Sequence, residues 1–287
     1  ALPIFYTREG AHAHHRILFH EDITGKEITS HLLDAVKKLK NVRMYEYTTL
    51  LDILCDGSKC CGGIIRWPDG REEQVEADYV ILATGGIGGT YKHSTNFKHL
   101  TGDGVEIARR HNIELKNLDY VQIHPTTLYS DNKEERSFLI SESVRGEGAR
   151  LYDKNMNRFV DELLPRDLLT QEIYKQMEKD GTDFVWEDLR TIPRDELISH
   201  FPNIIEHCSQ AGYDVFHECI PIVPAQHYFM GGIKVNHNSK TSMDHLYAVG
   251  ETACNGVHGK NRLASNSLLE SLVFAKRAAK EIAGERR

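Results

Sequence analysis

The most chemically suggestive stretch of the chain is residues 258–270, where a polar loop with a glycine runs directly into an apolar helical pattern. The first turn of a helix has free backbone N–H groups and a partial positive charge, which together bind anions. Asn266, Ser267 and Leu268 occupy that turn and could hold a phosphate or an anionic ring system. Arg262 precedes it and could form a forked pair with a carboxylate. The simpler interpretation is a capped helix beside a solvated arginine.

Two apolar strand patterns end in small or polar residues of the kind found beside nucleotides. Residues 80–84 form an almost continuous apolar run, as expected for a strand buried on both faces, and the two glycines that follow let a bulky ligand approach the backbone. Residues 246–251 repeat the pattern, and the last of them, a glutamate, could accept a hydrogen bond from a ribose or ribityl hydroxyl. Either strand alone fits any α/β protein equally well, but together they favour a nucleotide site. The residues predicted to form it are Ala83, Thr84, Gly85, Gly86 and Glu251.

Two histidines lie in non-helical stretches at the two ends of the central region, in His124-Pro125-Thr126 and in Gln226-His227-Tyr228. The chain has 16 histidines, so a single histidine is more often a surface or core residue than a site residue. Their positions at the borders of one region make these two candidates for a ligand site.

Two charged loops lie between those histidines. Residues 141–149 form the first, and residues 158–167 form the second, which ends in Pro165-Arg166-Asp167 at a predicted helix start. A charged pair at a helix start is commonly only a cap. The sequence contains no zinc-ligand spacing, Walker loop, nucleophile elbow or His-Glu-x-x-His motif, so we expect no metal site.

Composition limits the class of protein. The chain has 287 residues, with 35 Lys and Arg against 42 Asp and Glu, for a formal net charge of −7. This negative balance argues against nucleic acid or an anionic membrane as the main partner. No apolar run approaches the roughly 18 residues that span a bilayer, and the first residues lack the features of a signal peptide. The six cysteines contain no Cys-x-x-Cys pair, which indicates reduced thiols and a cytoplasmic location.

Hydrophobic periodicity assigns these residues to an order of elements. The predicted elements are helix 25–40, strands 42–47, 50–55, 63–67 and 73–76 with a hairpin turn at Asp69-Gly70, strand 79–84, a helix opening at Gly102-Asp103-Gly104, helix 166–179, strands 183–186, 231–235 and 246–249, and helix 267–284. The texture changes between residues 117 and 227, where short strands alternate with polar loops and helices. The layout predicts an α/β unit of residues 1–116 and 228–287, interrupted by an inserted α+β domain of residues 117–227.

Taken in order, these segments resemble the L-aspartate oxidase family, flavoenzymes of NAD biosynthesis within the superfamily of succinate dehydrogenase and fumarate reductase flavoproteins. The resemblance covers essentially the whole chain and is carried by Thr7-Arg8-Glu9-Gly10-Ala11-His12, His20-Glu21-Asp22-Ile23-Thr24-Gly25, Ala83-Thr84-Gly85-Gly86, Gly102-Asp103-Gly104, His124-Pro125-Thr126, Arg145-Gly146-Glu147-Gly148-Ala149, Pro165-Arg166-Asp167, His227-Tyr228 and residues 261–270. Residues 265–270 are similar to the oxidase version of the flavin loop. The early Arg8-Glu9-Gly10 with His12 and His14 also favours the oxidase over the dehydrogenases.

The resemblance implies a specific architecture. Residues 1–116 and 228–287 would form an incomplete FAD-binding domain of the glutathione-reductase type, and residues 117–227 a capping domain that closes over the substrate. The family opens with a strand and a Gly-x-Gly-x-x-Gly turn for the FAD pyrophosphate and continues into a C-terminal helical domain. This sequence shows neither and begins without Met, so we expect a fragment of a longer protein.

The resemblance also implies a role for each candidate residue. FAD is the implied cofactor, and Asp103 joins the strand-end and helix-start residues as part of its site. A four-carbon dicarboxylate, L-aspartate or fumarate, is the implied ligand. By resemblance, His227 and Arg262 hold one carboxylate. The other end is bordered by His124, Thr126, Ser141 and Glu142.

Arg166 takes the proton-transfer role in this resemblance. The pKa of an arginine lies above about 12, so an arginine base would need heavy desolvation or a relay through Asp167 or Glu162. The alternative is that Arg166 only fixes the substrate electrostatically.

The implied activity is oxidation of L-aspartate to iminoaspartate with O₂ or fumarate as acceptor. This is the first step of NAD synthesis through quinolinate, which suggests functional coupling to quinolinate synthase. Two alternatives remain. One is a fumarate reductase or succinate dehydrogenase flavoprotein subunit, which would need iron–sulfur partners because the cysteine spacing here does not suit a cluster. The other is a non-catalytic fragment that binds a dicarboxylate or a dinucleotide.

Overall fold

A computed structural model of the chain describes residues 6–7, 12–14, 16–20, 23–132 and 135–285, and it has mixed α/β content. The strands are β1 Tyr6–Thr7, β2 Ile17–Leu18, β3 Thr49–Asp56, β4 Lys59–Arg66, β5 Glu72–Glu76, β6 Val80–Leu82, β7 Leu115–Lys116, β8 Val121–Leu128, β9 Arg150–Tyr152, β10 Val185–Asp188, β11 Ile220–Phe229, β12 Gly232–Lys234, β13 Leu246–Ala248 and β14 Ala253–Cys254. The helices are α1 Thr24–Lys37, α2 Asp103–Arg110, α3 Glu142–Gly146, α4 Arg166–Asp180, α5 Arg194–His200, α6 Pro202–Gln210 and α7 Asn266–Glu285. Parts of the two N-terminal resemblance segments, residues 8–11 and 21–22, lie outside the described residues.

Two compact units make up the chain. The first unit comprises Ala1–Ala35, Tyr91–Lys98 and Ile123–His227, and the second comprises Val36–Thr90, His99–Gln122 and Tyr228–Arg287. The units group residues 1–35 with the central region, whereas the sequence-based domains group them with the FAD-binding part. The domain assignment 1–116, 117–227 and 228–287 stays a prediction.

The first unit is built on a sheet of order β8-β11-β10-β9. Strand β10 runs antiparallel to both neighbours, so that Trp186 lies opposite Tyr152 on one side and Pro221 on the other. Helix α4 begins after Pro165 and ends at Gly181, whose φ of 66° is the left-handed conformation that glycine favours. Apolar residues of α4, α5, α6 and β11 share one core, among them Leu169, Ile173, Leu197, Ile204 and Ile220.

The second unit contains the strand ends singled out in the sequence. Strands β6 and β13 pair in parallel, with Val80 opposite Leu246 and Leu82 opposite Ala248. Strands β3, β4 and β5 form an antiparallel meander, and Gly70 turns the β4–β5 hairpin with a φ of 85°. A third sheet has the order β14-β12-β7.

Two local expectations were wrong. Residues 42–47 do not form a strand, and the segment ends in a turn at Tyr47, whose φ of 55° is left-handed. Strand β6 is not buried on both faces, because Ile81 is 46% exposed, and helix α1 forms near its predicted bounds with none of its residues buried. Among the described residues, no helix combines the length and the apolar composition needed to cross a membrane.

Candidate active site

In the first unit, strand pairing brings the two candidate histidines together. His124 on β8 and His227 on β11 have ring centroids 5.2 Å apart at an interplanar angle of 63°. His227 is oriented by Thr95, whose hydroxyl oxygen lies 2.8 Å from the ring Nδ1. Nδ1 of His124 lies 3.0 Å from the carbonyl oxygen of Thr126 and 3.2 Å from the backbone nitrogen of the same residue.

The electrostatic surroundings of His124 keep its imidazole neutral. Burial lowers the pKa of His124 well below 6.5, and the charges of Arg166, His227 and Arg145 lower it further. A neutral imidazole has one donor and one acceptor nitrogen, and the two backbone groups of Thr126 beside Nδ1 suit either tautomer. In the tautomer with the proton on Nε2, His124 can donate a hydrogen bond to a carboxylate without contributing a charge.

Arg166 and Glu142 form a shielded ion pair in the same unit. The guanidinium Nε donates to Oε2 of Glu142 at 2.6 Å, and the two side chains are only 10% and 9% exposed. Each residue begins a helix, Arg166 after Pro165 and Glu142 after the cap residue Ser141. The ion pair fixes the position of a buried cation, which is what a site for an anionic substrate needs.

Two predicted substrate residues have local partners in the first unit. The backbone N–H of Ser143 donates to the hydroxyl of Ser141 at 3.3 Å, which caps α3. Thr126 is fully buried, and its hydroxyl donates to the carbonyl of Ile140 at 3.0 Å. Their predicted contacts with substrate stay a prediction.

A second charged network lies in the interior of the first unit. Arg145 donates to the carbonyl of Glu162 at 2.6 Å, and the Glu162 carboxylate accepts from Arg158 at 2.7 Å and from the backbone of Leu151 at 3.0 Å. Glu187 on β10 is fully buried, and neither carboxyl oxygen has a hydrogen-bond partner among the described residues. Burial raises the pKa of Glu187 to about 8, although Arg145 opposes the shift.

In the second unit, the loop before α7 is held in place by its own polar groups. The Arg262 side chain is nearly buried, with its guanidinium carbon 4.8 Å from the ring centroid of Tyr228. Gln122 donates to the carbonyl of Arg262 at 2.8 Å, and Arg262 Nη1 lies 3.4 Å from the hydroxyl of Ser267. Asn266 begins α7, as the sequence predicted, and the half-buried Leu268 follows in its first turn.

The strand ends in this unit also meet as predicted. The hydroxyls of Thr84, after β6, and Thr252, after β13, are 2.9 Å apart. Glu251 accepts from the backbone nitrogen of Phe229 at 2.8 Å, and burial raises the pKa of Glu251 to about 7. A Cβ added to Gly86 would lie 2.4 Å from Oε1 of Glu251, so only glycine permits this approach.

Comparison with known proteins identifies this arrangement. A family model described as the FAD binding domain matches residues 1–268. The chain belongs to the FAD binding domain family. Its cofactor is therefore FAD, as the sequence predicted. The curated relatives confirm the resemblance to L-aspartate oxidases. The L-aspartate oxidase of Clostridium perfringens is 52% identical over 97% of this chain and 63% of the relative, and that of Bacillus subtilis is 41% identical over 96% of this chain and 52% of the relative.

Solved structures share the fold. A quinol fumarate reductase FrdA variant of E. coli has a TM-score of 0.88 and 32% identity, covering 96% of this chain and 51% of that one. A quinol–fumarate reductase solved with menaquinol molecules has a TM-score of 0.90 and 34% identity, covering 98% and 52%. This FAD binding domain thus spans about half to two thirds of the length of the proteins it matches.

The second unit of this FAD binding domain offers groups suited to FAD. Gly256 and Gly259 adopt left-handed φ angles in the loop before α7, and an added Cβ would meet no atom within 4 Å at either position. His258 Nε2 is buried without a hydrogen-bond partner among the described residues, and burial lowers the pKa of His258 to about 4. Open backbone, a neutral imidazole and the start of α7 fit the donors that a flavin and its phosphates require.

The remaining predicted cofactor residues lie at the ends of secondary-structure elements in the second unit. Ala83 is exposed and Gly85 has a φ of 72°, both just after β6. Asp103 begins α2 and accepts from the hydroxyl of Thr101 at 2.8 Å. Their contacts with FAD stay a prediction.

Sequence reasoning missed several residues of these clusters. Neither Glu187 nor Thr95 was singled out, and His258 was noted only as part of its loop. The one available signal was the glutamate that follows the apolar run Phe184-Val185-Trp186, because a charged residue in a buried strand has to have a partner or a shifted pKa. Thr95 has no sequence signal, since its role comes entirely from the pairing that places His227.

Proposed function

We propose that the protein containing this chain oxidises L-aspartate to iminoaspartate with FAD, using O₂ or fumarate as acceptor, in the first step of NAD synthesis through quinolinate. Strong similarity to proteins named L-aspartate oxidase over nearly the whole chain carries the proposal. The same proposal includes a cytoplasmic location, no nucleic-acid or membrane partner, and functional coupling to quinolinate synthase.

The architecture in this proposal is a glutathione-reductase-type FAD-binding domain with residues 117–227 as a capping domain. The central sheet and core of the first unit support a capping domain that folds as a body of its own. The parallel β6–β13 pair with its glycine and threonine ends supports the nucleotide-binding part.

Substrate binding would use neutral donors and cations together. His227 and Arg262 hold one carboxylate of the dicarboxylate, and His124 donates to the other, bordered by Thr126, Ser141 and Glu142. The buried, neutral state of His124 is compatible with this role, because a neutral imidazole with its proton on Nε2 can donate to a carboxylate. FAD, when bound, accepts the hydride from the substrate.

Arg166 is the group we assign to the proton step. Its pairing with Glu142 inside the unit provides a carboxylate within 2.6 Å that can receive or return a proton, which an isolated arginine lacks. The ion pair also supports the electrostatic alternative, in which Arg166 only stabilises developing charge. Both roles predict that the chemical step depends on this side chain.

The chain itself provides a matched control for Arg166. Pro165-Arg166-Asp167 and Pro193-Arg194-Asp195 each begin a helix, but Arg194 is exposed and stacks 4.0 Å from the ring centroid of Phe216. In the FAD-loaded full-length protein, Arg166→Leu should lower kcat for aspartate-dependent flavin reduction at least 100-fold, within the range of general acid–base effects. Arg194→Leu should leave kcat within twofold. Wild-type flavin reduction in Arg166→Leu, measured by stopped flow, would remove Arg166 from the mechanism.

Fumarate reductase or succinate dehydrogenase activity is the second candidate. It is favoured by the structural similarity to quinol fumarate reductases, at TM-scores of 0.88 and 0.90. Peroxide release by the full-length protein distinguishes the two. Turnover with aspartate but not succinate supports the oxidase, turnover with succinate alone supports the second candidate, and turnover with neither supports a non-catalytic binding protein.

A further inference from the structure

A cluster of reactive side chains lies in the second unit, apart from every residue assigned above. Cys55, near the end of β3, has its sulfur 3.5 Å from Nδ1 of His111, the residue directly after α2. The opposite ring nitrogen of His111, Nε2, lies 2.8 Å from Oδ1 of Asp52. Cys55 is exposed, so a small reagent can reach its sulfur.

The order of these contacts sets the tautomer of His111. Burial raises the pKa of Asp52, but the hydrogen bonds from His111 and from the backbone of Ile53, together with the charge of Arg110, lower it overall. The Asp52 carboxyl is therefore ionised and accepts from Nε2. With the ring proton on Nε2, Nδ1 has a lone pair directed at the Cys55 sulfur. His111 is thus placed to accept the thiol proton.

The thiol needs that base. Burial raises the pKa of Cys55, and the neighbouring Cys60, Cys61 and Asp52 raise it further. Cys55 is therefore a thiol at neutral pH, and its nucleophilicity depends on proton transfer to His111 as the sulfur attacks.

A second thiol lies directly across the sheet. Cys55 pairs with Cys60 in the antiparallel β3–β4 register. The backbone N–H of Cys60 points away from β3 and donates to Asp244 at 2.9 Å, which makes Cys55 and Cys60 a non-hydrogen-bonded pair. The Cα atoms of such a pair lie about 4.5 Å apart, within the range that a disulfide spans. Cys60 is fully buried, so its thiol is accessible only from within the protein.

We propose that Cys55 is a peroxide-reactive thiol, activated by His111 and Asp52, whose oxidation ends in a disulfide with Cys60. The Cys55 sulfur attacks one peroxide oxygen and the O–O bond breaks. The thiol proton passes through His111 to the leaving hydroxide, which departs as water. Cys60 then attacks the sulfenic acid, the S–O bond breaks, and a second water carries away the Cys60 proton. Two thiols are oxidised by two electrons, and one hydrogen peroxide is reduced to two waters. This chemistry does not depend on the proposed function.

The test uses the FAD-loaded full-length protein, a pulse of hydrogen peroxide quenched with catalase, and non-reducing peptide mass mapping. We expect the Cys55–Cys60 disulfide to form first and to be reversed by dithiothreitol. Cys60→Ser should stop the reaction at a Cys55 sulfenic acid that dimedone traps. His111→Asn should slow Cys55 oxidation at least tenfold, and Asp52→Asn should slow it less. Cys61→Ser is the matched control and should not slow Cys55 oxidation.

Several outcomes would overturn the proposal: oxidation of Cys61 before Cys55, an unchanged rate in His111→Asn, or a Cys55 sulfenic acid that persists while Cys60 is present. A measurement without variants covers the case in which a variant misfolds. Iodoacetamide should alkylate Cys55 of the native wild-type protein at least tenfold faster than Cys61. Equal alkylation rates for Cys55 and Cys61 in the native protein would show that the cluster provides no activation. Unfolding in urea should remove the expected difference between the two rates.

Discussion

Glu187 should make the free energy of unfolding fall as pH rises through the neutral range. Its side chain is fully buried, and burial raises its pKa from 4.5 to about 8. Between these values the unfolded chain has an ionised Glu187 while the folded chain keeps the proton, so the folded state binds more protons. Stability therefore decreases with rising pH throughout that window. Glu187→Gln keeps the shape of the side chain and removes the titration.

The size of the effect follows from the shift. One pKa unit corresponds to about 1.4 kcal/mol. Titration of Glu187 should therefore lower the free energy of unfolding of the wild type by about 3 kcal/mol as the pH rises from about 5.5 to 7.5. The depressed pKa of His124 acts in the opposite direction, because a histidine that is neutral when folded destabilises the protein as pH falls. Both chains contain His124, so its contribution cancels in the difference between wild type and variant.

Urea unfolding of the FAD-loaded full-length protein at several pH values measures this difference. Trp186 lies on β10 next to Glu187, so its fluorescence follows unfolding of the first unit. Trp67→Phe, introduced into both the wild type and the Glu187→Gln variant, removes the tryptophan of the second unit. The difference in free energy of unfolding between Glu187→Gln and the wild type should shift in favour of the variant by about 3 kcal/mol from about pH 5.5 to pH 7.5. Glu178→Gln, at an exposed position of α4, should give a curve parallel to the wild type. Parallel curves for Glu187→Gln as well would refute the reasoning.

Three further substitutions test the site and its support. Gly104→Ala would place a Cβ 2.2 Å from a threonine hydroxyl and should cost about 1–3 kcal/mol of stability and weaken FAD retention, whereas Gly146→Ala, with no atom within 4 Å, should be neutral by thermal melting and flavin release. Glu162→Gln should cost about 1–3 kcal/mol in urea unfolding, because it weakens the hydrogen bonds that the buried carboxylate accepts from Arg158 and from the backbone of Leu151; an unchanged stability would contradict this. Arg262→Ala should raise KM for aspartate by a factor equivalent to a loss of about 2–5 kcal/mol of binding free energy, with a smaller change in kcat. Lys260→Ala, in the same loop, should not raise KM. An equal rise in KM for Lys260→Ala would mean that the positive charge of the loop, and not a specific contact of Arg262, binds aspartate.

Local sequence patterns predicted the elements that depend on few partners. The apolar runs that became β6 and β13, the closing helix α7 and the proline-initiated α4 formed close to their predicted bounds. Helix α1 formed near its predicted bounds, yet none of its residues is buried. Burial depends on which surface packs against a helix, and local periodicity contains no information about that surface.

The site was predictable in its residue types and not in its partners. His124 and His227 were chosen because they border one region, but their contact comes from β8–β11 pairing, which no local pattern specifies. Arg166 was expected to relay through Asp167 or Glu162, and the described geometry pairs it with Glu142, 24 positions earlier. Such pairings depend on tertiary structure, because side chains far apart in sequence meet only when the core of the unit forms.

The parallel pairing of β6 with β13 has a consequence for how the protein is made. Thr84 and Thr252, whose hydroxyls join the two strand ends, are 168 positions apart. At a ribosomal rate of about 5–20 residues per second, β6 leaves the ribosome roughly 10–30 s before its partner. The β3–β5 meander can close in that interval, since its strands are consecutive, and the core of the first unit is synthesised entirely within it. Until Leu246 emerges, β6 has an open edge that can pair with another nascent chain.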